Sequence, residues 1–253
     1  MTSIDWSRRP VAIVTGAASG IGAASASALA ERGARVAVLD VDAERGRAVA
    51  SAVRGLFVQL DVRSPEDWSR GLEAIHAELG PVELAHLNAG VMTLAPQAEL
   101  AAAVDLAAIS DAVYRRILGI NVDGVFFGLR ALAAGMQARR RGRIVVTASI
   151  GGLTAVPFDP LYAMTKHAII GLVRSAAPML AAHGIALSAI CPGGVDTPLV
   201  PDSIRALSPP LLAAHQVARA VVEILDSPRG GIFIVRPERP DPEPFLAPAI
   251  ELA

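Results

Sequence analysis

The chain has 253 residues, 53% of them hydrophobic and 19% charged, with 23 basic against 24 acidic side chains and a formal net charge of -1. That length buries ample core as an α/β protein, and the balanced charge argues against a nucleic-acid or anionic-membrane partner, which would draw on a basic surplus. A single cysteine, Cys191, excludes an internal disulfide and fits a reducing compartment; with no signal-peptide pattern at the start and no uninterrupted apolar run of roughly 18 residues, a cytoplasmic protein is expected.

Short β-branched runs alternate with stretches of helical period, the pattern of βαβ units around a parallel sheet. Val11–Thr15 reads as a first buried strand, followed by a glycine-rich turn and a helix ending at Glu31. Arg35–Asp40 is the second strand and Ala43–Val53 a helix; Leu56–Leu60 is the third strand, and Ser64 with Pro65 opens a helix to Leu79. Val82–Asn88 is the fourth strand, and an alanine-rich helical region runs from Val104 to Gln137. Arg143–Ala148, Ile185–Cys191 and Gly231–Val235 complete the strands, with helices over Leu161–Ala182 and His215–Asp226 between them. No repeat or linker divides this series. The expectation is one domain over residues 1–253 of the α/β class: a doubly wound three-layer sandwich with a seven-stranded parallel sheet, an N-terminal arm at 1–9 and a tail at 237–253. The tail holds five prolines and should be extended, as a disordered end or docked on a subunit surface.

The first strand leads into Thr15-Gly16-Ala17-Ala18-Ser19-Gly20-Ile21-Gly22. Glycines there allow a tight turn, a close backbone approach and close packing of helix on strand, and the helix N-terminus offers free N–H groups to a pyrophosphate. A glycine cluster alone is a weak signal, but here it follows a strand and opens a helix. Asp40 closes the second strand eighteen residues after Gly22, where a carboxylate can hold a ribose diol and repel a 2′-phosphate. No basic residue stands in the glycine loop or directly after Asp40, so NAD is favoured over NADP. Asp61, followed by Val62, ends the third strand where it could receive an adenine amino group or be a plain loop acid. Asn88-Ala89-Gly90 ends the fourth, with Gly90 permitting backbone beside the ribose.

Lys166 is the sole lysine among 22 arginines, and Tyr162, one of two tyrosines, lies four residues before it on one helix face. That spacing arises by chance in about one such chain in a hundred. A free phenol is a poor base near neutral pH, and an adjacent ammonium together with a cationic nicotinamide would lower its pKa. Ser149, after the fifth strand, can donate to a substrate oxygen or simply cap a turn. Asn121 interrupts the long helical region as a kink with a bound water or as a solvated side chain. Pro192-Gly193-Gly194-Val195-Asp196-Thr197 follows the sixth strand, where its backbone and Thr197 could grip a carboxamide.

In register, Thr15-Gly-x-x-x-Gly20-x-Gly22, Asn88-Ala-Gly90, Asn121, Ser149, Tyr162-x-x-x-Lys166 and Pro192-Gly193-x-Val195-x-Thr197 resemble the classical short-chain dehydrogenase/reductase family from Pro10 to about Val235. The resemblance implies a Rossmann-type fold and an assignment of roles. Tyr162 would be the general acid/base, and Ser149 would polarise the substrate oxygen. Lys166 would bind the nicotinamide ribose and lower the tyrosine pKa, and Asn121 would hold a proton-relaying water. Gly16, Ser19, Gly20, Ile21, Gly22, Asp40, Asp61, Val62, Asn88, Ala89, Gly90, Pro192, Gly193, Val195 and Thr197 would bind NAD together with Tyr162 and Lys166. It also implies a homodimer or homotetramer joined through the helices at about Asp105–Gln137 and Leu161–Ala182. The chain departs from the family pattern in an alanine-rich insertion around Ala95–Leu106, a short loop after Thr197, and Arg236-Pro237 where an acidic-Gly-Gly ending is usual.

The five histidines show no metal-ligand spacing, so no metal is expected. His167 reads as a packing residue, Cys191 as buried and inert, and Arg139–Arg141 with Arg143 as a solvated helix end, phosphate binding there being a remote second reading. Candidate pocket positions Val91, Met92, Leu94, Ile150, Leu153, Val156, Phe158 and Leu199 are apolar. The reading is an NAD-dependent oxidoreductase interconverting a secondary alcohol and a ketone on an apolar or alicyclic substrate; the alternative is a non-catalytic NAD(H)-binding sensor or scaffold on the same fold.

Overall fold

The computed structural model describes residues 3–94, 104–207 and 210–246. Strand β1 (Val11–Thr15) lies inside the sheet and is buried along its whole length. Val11 and Ile13 point into one apolar layer, Ala12 and Val14 into the other, the two-residue alternation of a strand covered on both faces. β1 pairs in parallel with β2 (Arg35–Asp40) and β4 (Val82–Leu87), and β2 with β3 (Leu56–Gln59). β4 continues to β5 (Gly142–Thr147) and β5 to β6 (Ile185–Pro192). Two short strands that sequence periodicity did not signal, β7 (Val195–Asp196) and β8 (Leu212–Ala213), form a small parallel sheet of their own. β9 (Gly231–Arg236) then joins β6 in parallel. The seven expected parallel strands are therefore all present, with the order reversal between β1 and β4. That reversal leaves a crevice at the carboxyl edge, where doubly wound sheets bind their ligands.

An eighth strand corrects the expected count. β10 (Arg239–Pro244) pairs antiparallel with β9 at the edge, so this part of the proline-rich tail is an ordered strand and not a disordered end. Pro240, Pro242 and Pro244 alternate with Arg239, Asp241 and Glu243. N–H groups of alternate residues face opposite sides of a strand, so the odd-numbered residues can face β9 while the outward side carries no donors, which blunts a free sheet edge. Phe245 N–H donates to Ile232 O at 2.8 Å, its ring stacks under Arg174, and Glu243 bonds Arg236 and Arg239. Water and salt screen ion pairs this exposed, so the ladder and Phe245 hold the strand more than the charges do. Residues 247–253 lie outside the described residues.

Helices α1 (Gly20–Glu31), α2 (Ala43–Ala52) and α8 (Ala214–Asp226) cover one face through Ala26, Leu29, Ala50, Val217, Val221 and Leu225. On the other face α3 (Pro65–Glu78) starts as expected at Ser64, whose Oγ accepts from Asp67 N. The region expected as one helix from Val104 is instead a 3-10 turn at Leu106–Ala108, α4 (Asp111–Leu118), a π turn at Gly119–Asp123 and α5 (Gly124–Arg139). By length and composition alone Asp111–Arg139 would suffice to cross a membrane, but Val125, Leu129, Leu132 and Met136 are buried in the core beside Trp68. Gly128 makes that approach possible, since a Cβ there would lie 2.8 Å from Trp68. α6 (Pro160–Ala181) completes this layer with Ile169, Ile170 and Val173. α7 (Asp202–Leu207) lies between β7 and β8.

The arginine run is a solvated helix end at Arg139 and Arg140, which are exposed, but not at Arg143, which is buried. Arg139 and Arg140 donate to Val82 O and Ala182 O, Arg141 pairs with Glu83 at 2.8 Å, and Arg143 is buried with a bond to Ser227 O. The guanidiniums of Arg139, Arg140 and Arg143 thus supply donors to main-chain carbonyls at strand and helix ends, whereas Arg141 is held by a carboxylate. The N-terminal arm is docked as well: Trp6 Nε1 donates to Asp226 at 2.9 Å, and Arg32 stacks on the Trp6 ring.

Candidate active site

A cleft of about 780 Å³ opens along the carboxyl edge of the sheet, from Asp40 at one end to Tyr162 and Pro237 at the other. Gly16, Ser19, Gly20, Ile21, Asp40, Asp61, Val62, Asn88, Ala89, Gly90, Pro192, Gly193, Val195 and Thr197 line it, as do Ser149, Tyr162 and Lys166. Gly22 stands behind the glycine loop, where a Cβ would strike the Gly16 carbonyl oxygen. Gly16 has φ +61°, and a Cβ there would lie 2.8 Å from Ala89 Cα. Only glycine satisfies both the dihedral and the contact.

The cleft fits a dinucleotide. α2, α3, α4 and α6 each have a side chain capping their first turn, from Asp42, Ser64, Ser110 and Asp159. The Ser19 side chain makes no such bond, so the first N–H groups of α1 face the cleft without a side-chain acceptor, a setting suited to a pyrophosphate. Asp40 Oδ2 accepts from Ala18 N at 2.8 Å and Oδ1 from Asp42 N at 3.0 Å. Those bonds fix the carboxylate at the cleft wall while each oxygen keeps acceptor capacity for a diol. Asp61 also lines the cleft, but Arg63 forks both its oxygens, at 2.6 to 3.0 Å, and that hydrogen-bonded charge holds the Asp61 carboxyl below its ordinary range. Arg63, unnoticed in the sequence, thus stands in the cleft with its charge already paired.

At the other end, Asp159 caps α6 by accepting from Tyr162 N at 3.0 Å, and its second oxygen accepts from Thr93 N at 2.9 Å. This wholly buried carboxylate was not singled out from the sequence, because an Asp-Pro pair before a helix reads as an ordinary cap. The first turns of α6 place Tyr162 and Lys166 on one face, with the Lys166 amine 5.5 Å from the phenol ring centre. Lys166 Nζ donates to Thr147 O at 2.9 Å. Ser149 hydrogen-bonds Tyr162 and its Oγ accepts from Gly151 N, so it both faces the phenol and caps the turn at Ile150–Gly152. Gly152 lets that turn rest on α6, since a Cβ would lie 2.6 Å from Lys166 O.

Burial dominates the electrostatics. Loss of water pushes Tyr162 up to about 12, with the Ser149 hydrogen bond opposing and the Asp159 charge adding to the rise. Desolvation likewise brings Lys166 down to about 8. The expected lowering of the phenol is thus not what the protein alone exhibits: lost solvation dominates, and the Ser149 hydrogen bond is what pulls the other way.

Asn121 is not solvated; it is 0% exposed within the π turn. Its Oδ1 accepts from Val91 N at 2.8 Å, and its Nδ2 donates to Val91 O and Thr165 Oγ1. A Cβ on Gly90 would lie 3.4 Å from both Asn121 Oδ1 and Lys166 Nζ, so this glycine keeps the space between them open. Val91, Met92, Ile150, Val156, Phe158 and Leu199 line the cleft as expected, whereas Leu153 turns to pack on the core and Leu94 is not among the described lining residues. The sequence reading missed Leu211, Pro237 and Glu238, which reach the cleft only through β8 and the β9–β10 hairpin. Cys191 is buried and its thiol is pushed up to about 12 by desolvation. His167 is on the exposed face of α6, bonded to Ala163 O, and does not pack inward. The insertion at 95–103 lies outside the described residues; just beyond it, Val104 N donates to Phe158 O.

The profile of the short chain dehydrogenase family matches residues 10–207, and the chain belongs to that family. It is an oxidoreductase of the alcohol/ketone type, acting on small molecules with a nicotinamide cofactor. Among its relatives, a cis-4-hydroxycyclohexanecarboxylate dehydrogenase from Sinomonas cyclohexanicum is 40% identical over 205 residues, 78% of each chain. A 2,5-dichloro-2,5-cyclohexadiene-1,4-diol dehydrogenase from Sphingobium indicum is 36% identical over 213 residues, 82% of each chain. The crystal structure of a 3-ketoacyl-(acyl-carrier-protein) reductase from Brucella melitensis complexed with NADH superposes with a TM-score of 0.82 at 28% identity, over 91% of this chain and 98% of that one.

Proposed function

We propose that this protein is an NAD-dependent dehydrogenase of apolar, alicyclic secondary alcohols, built as one domain and working in the cytoplasm as a homodimer or homotetramer. The observation that carries the proposal is the convergence of Ser149, Tyr162 and Lys166 at one end of a cleft whose other end is walled by the glycine loop and Asp40. The nicotinamide, when bound, supplies hydride transfer. The chain's own part is proton handling and alignment. Tyr162 Oη takes the alcohol proton, Ser149 Oγ orients the substrate oxygen beside it, and the Lys166 amine holds a ribose hydroxyl and favours the phenolate once a cationic ring lies nearby. Asn121 fixes Val91 and borders the space, kept clear by Gly90, through which a water can carry the proton outward.

The preference for NAD is supported by the Asp40 carboxylate, fixed at the cleft wall with acceptor capacity left for a diol, and by the pairing of Arg63 with Asp61, which leaves that guanidinium committed. Ile150, Val156, Phe158, Leu199 and Leu211 make the catalytic end apolar, and no arginine is among the described residues lining it. Two relatives named above are dehydrogenases of cyclic alcohols, which supports a six-membered ring bearing a hydroxyl as the substrate type.

The test is NADH formation with cyclohexanols, acyclic secondary alcohols and sugar polyols, using NAD and NADP, in wild type and Tyr162→Phe. Expected are turnover with NAD on cyclohexanols and a loss of about 10²- to 10⁴-fold in the variant with NADH binding retained. Full activity in Tyr162→Phe overturns the mechanism, preference for polyols overturns the substrate class, and saturable NADH binding without any turnover favours the sensor reading.

A further inference from the structure

His86 lies on β4 between β1 and β5 with 0% exposure, in the middle of the sheet. A histidine there carries a desolvation cost that an aliphatic residue of the strand would not. Its bonds reach the cofactor cleft. His86 Nε2 is 2.8 Å from Thr147 Oγ1, and Thr147 Oγ1 donates to Asn88 Oδ1 at 3.0 Å. Asn88 Nδ2 in turn donates to Thr15 O and Gly16 O, at 3.2 and 3.3 Å, where the glycine loop leaves β1.

Proton inventory fixes the direction of this chain. Thr147 has one hydroxyl proton, and Asn88 Oδ1 takes it, so His86 must donate from Nε2 and keep Nδ1 unprotonated. Nδ1 is buried and has no partner among the described residues, as befits a neutral ring. If His86 ceased to donate, the Thr147 hydroxyl would be free to turn, Asn88 Oδ1 would lose its donor, and the Asn88 amide could flip away from the two loop carbonyls. The main-chain carbonyl of the same Thr147 accepts from Lys166.

We propose that His86 is a positioning residue of the cofactor site: its Nε2–H sets the Thr147 hydroxyl and, through Asn88, holds the first turn of the glycine loop in its NAD-binding geometry. This rests on the nicotinamide site proposed above. The test is NADH affinity of the full-length protein by fluorescence titration, with a melting curve for each variant. His86→Leu and Thr147→Val should each weaken NADH binding about tenfold, the size expected for one buried hydrogen bond. The double variant should be no worse than about the weaker single, since both break one chain. His86→Gln, which keeps an N–H donor, and Thr147→Ser, which keeps the hydroxyl, should stay near wild type. Ile144→Ala, a cavity in the same sheet, should lower melting temperature without changing affinity. Wild-type affinity in His86→Leu, or losses that multiply in the double variant, overturn the proposal; if His86→Leu does not fold, Thr147→Val against Thr147→Ser decides it in the same way. A wild-type protein that binds no NADH overturns the cofactor reading and this assignment together, whereas binding that the variants leave unchanged overturns the assignment alone.

Discussion

Asp159 joins three things: the start of the catalytic helix, the backbone beyond β4 at Thr93, and the electrostatics of Tyr162. Its negative charge disfavours the phenolate, so removing that charge should lower the Tyr162 pKa. Asp159→Asn is expected to move the alkaline rise of kcat/KM for alcohol oxidation to lower pH. It should also cost about 1–3 kcal/mol of stability, because an amide NH₂ would then face one of the two N–H groups. A pH profile unchanged beside a lowered melting temperature would show that the charge is not felt at the phenol. Helix spacing and the scarcity of lysine marked Tyr162 and Lys166, a strand end marked Ser149 as donor or cap, and the family resemblance implied their roles. Asp159, Thr147 and His86 were not legible, because their partners lie far along the chain and nothing local marks a strand residue as polar-networked.

Helices and strands were readable wherever one face is apolar and the ends carry caps, as at Ser64-Pro65. The division of 104–139 into a turn, α4, a π turn and α5 was not, because the apolar pattern passes through the π turn and only Asn121 bonding to Val91 shows why the extra residue is accommodated. β10 escaped for the opposite reason: three prolines argue against a strand unless it sits at an edge, and only the sheet order reveals the edge. α5 and α6 present Phe126, Met164 and Met179 outward, at 45%, 45% and 70% exposure. Large apolar side chains on the two helices that the proposed assembly uses favour burial against a second copy. Sedimentation at micromolar concentration should therefore give a dimer or tetramer, and Phe126→Glu with Met164→Glu should shift it toward monomer; a wild-type monomer would remove the proposed assembly.

Acid sensitivity is a property of the whole molecule that follows from the buried histidine. Burial holds His86 down to about 3, against an ordinary value of 6.5. The unfolded chain binds a proton there as pH falls below about 6.5, and the folded chain does not until about 3, so stability is full above that window and is lost through it at up to about 1.4 kcal/mol per pH unit. Denaturant titrations at pH 7 and pH 5 should show His86→Leu losing less stability than wild type, and equal losses would contradict a buried neutral histidine. Across the whole chain, the sequence by itself determined the alternation of strands and helices, the glycine turn, and the tyrosine–lysine pair, because these depend on local periodicity, backbone freedom and spacing. Only the tertiary structure decided which wall Arg63 and Pro237 occupy, that the tail closes the sheet, and that His86 reaches the glycine loop, because each depends on contacts between segments that the sheet order alone brings together.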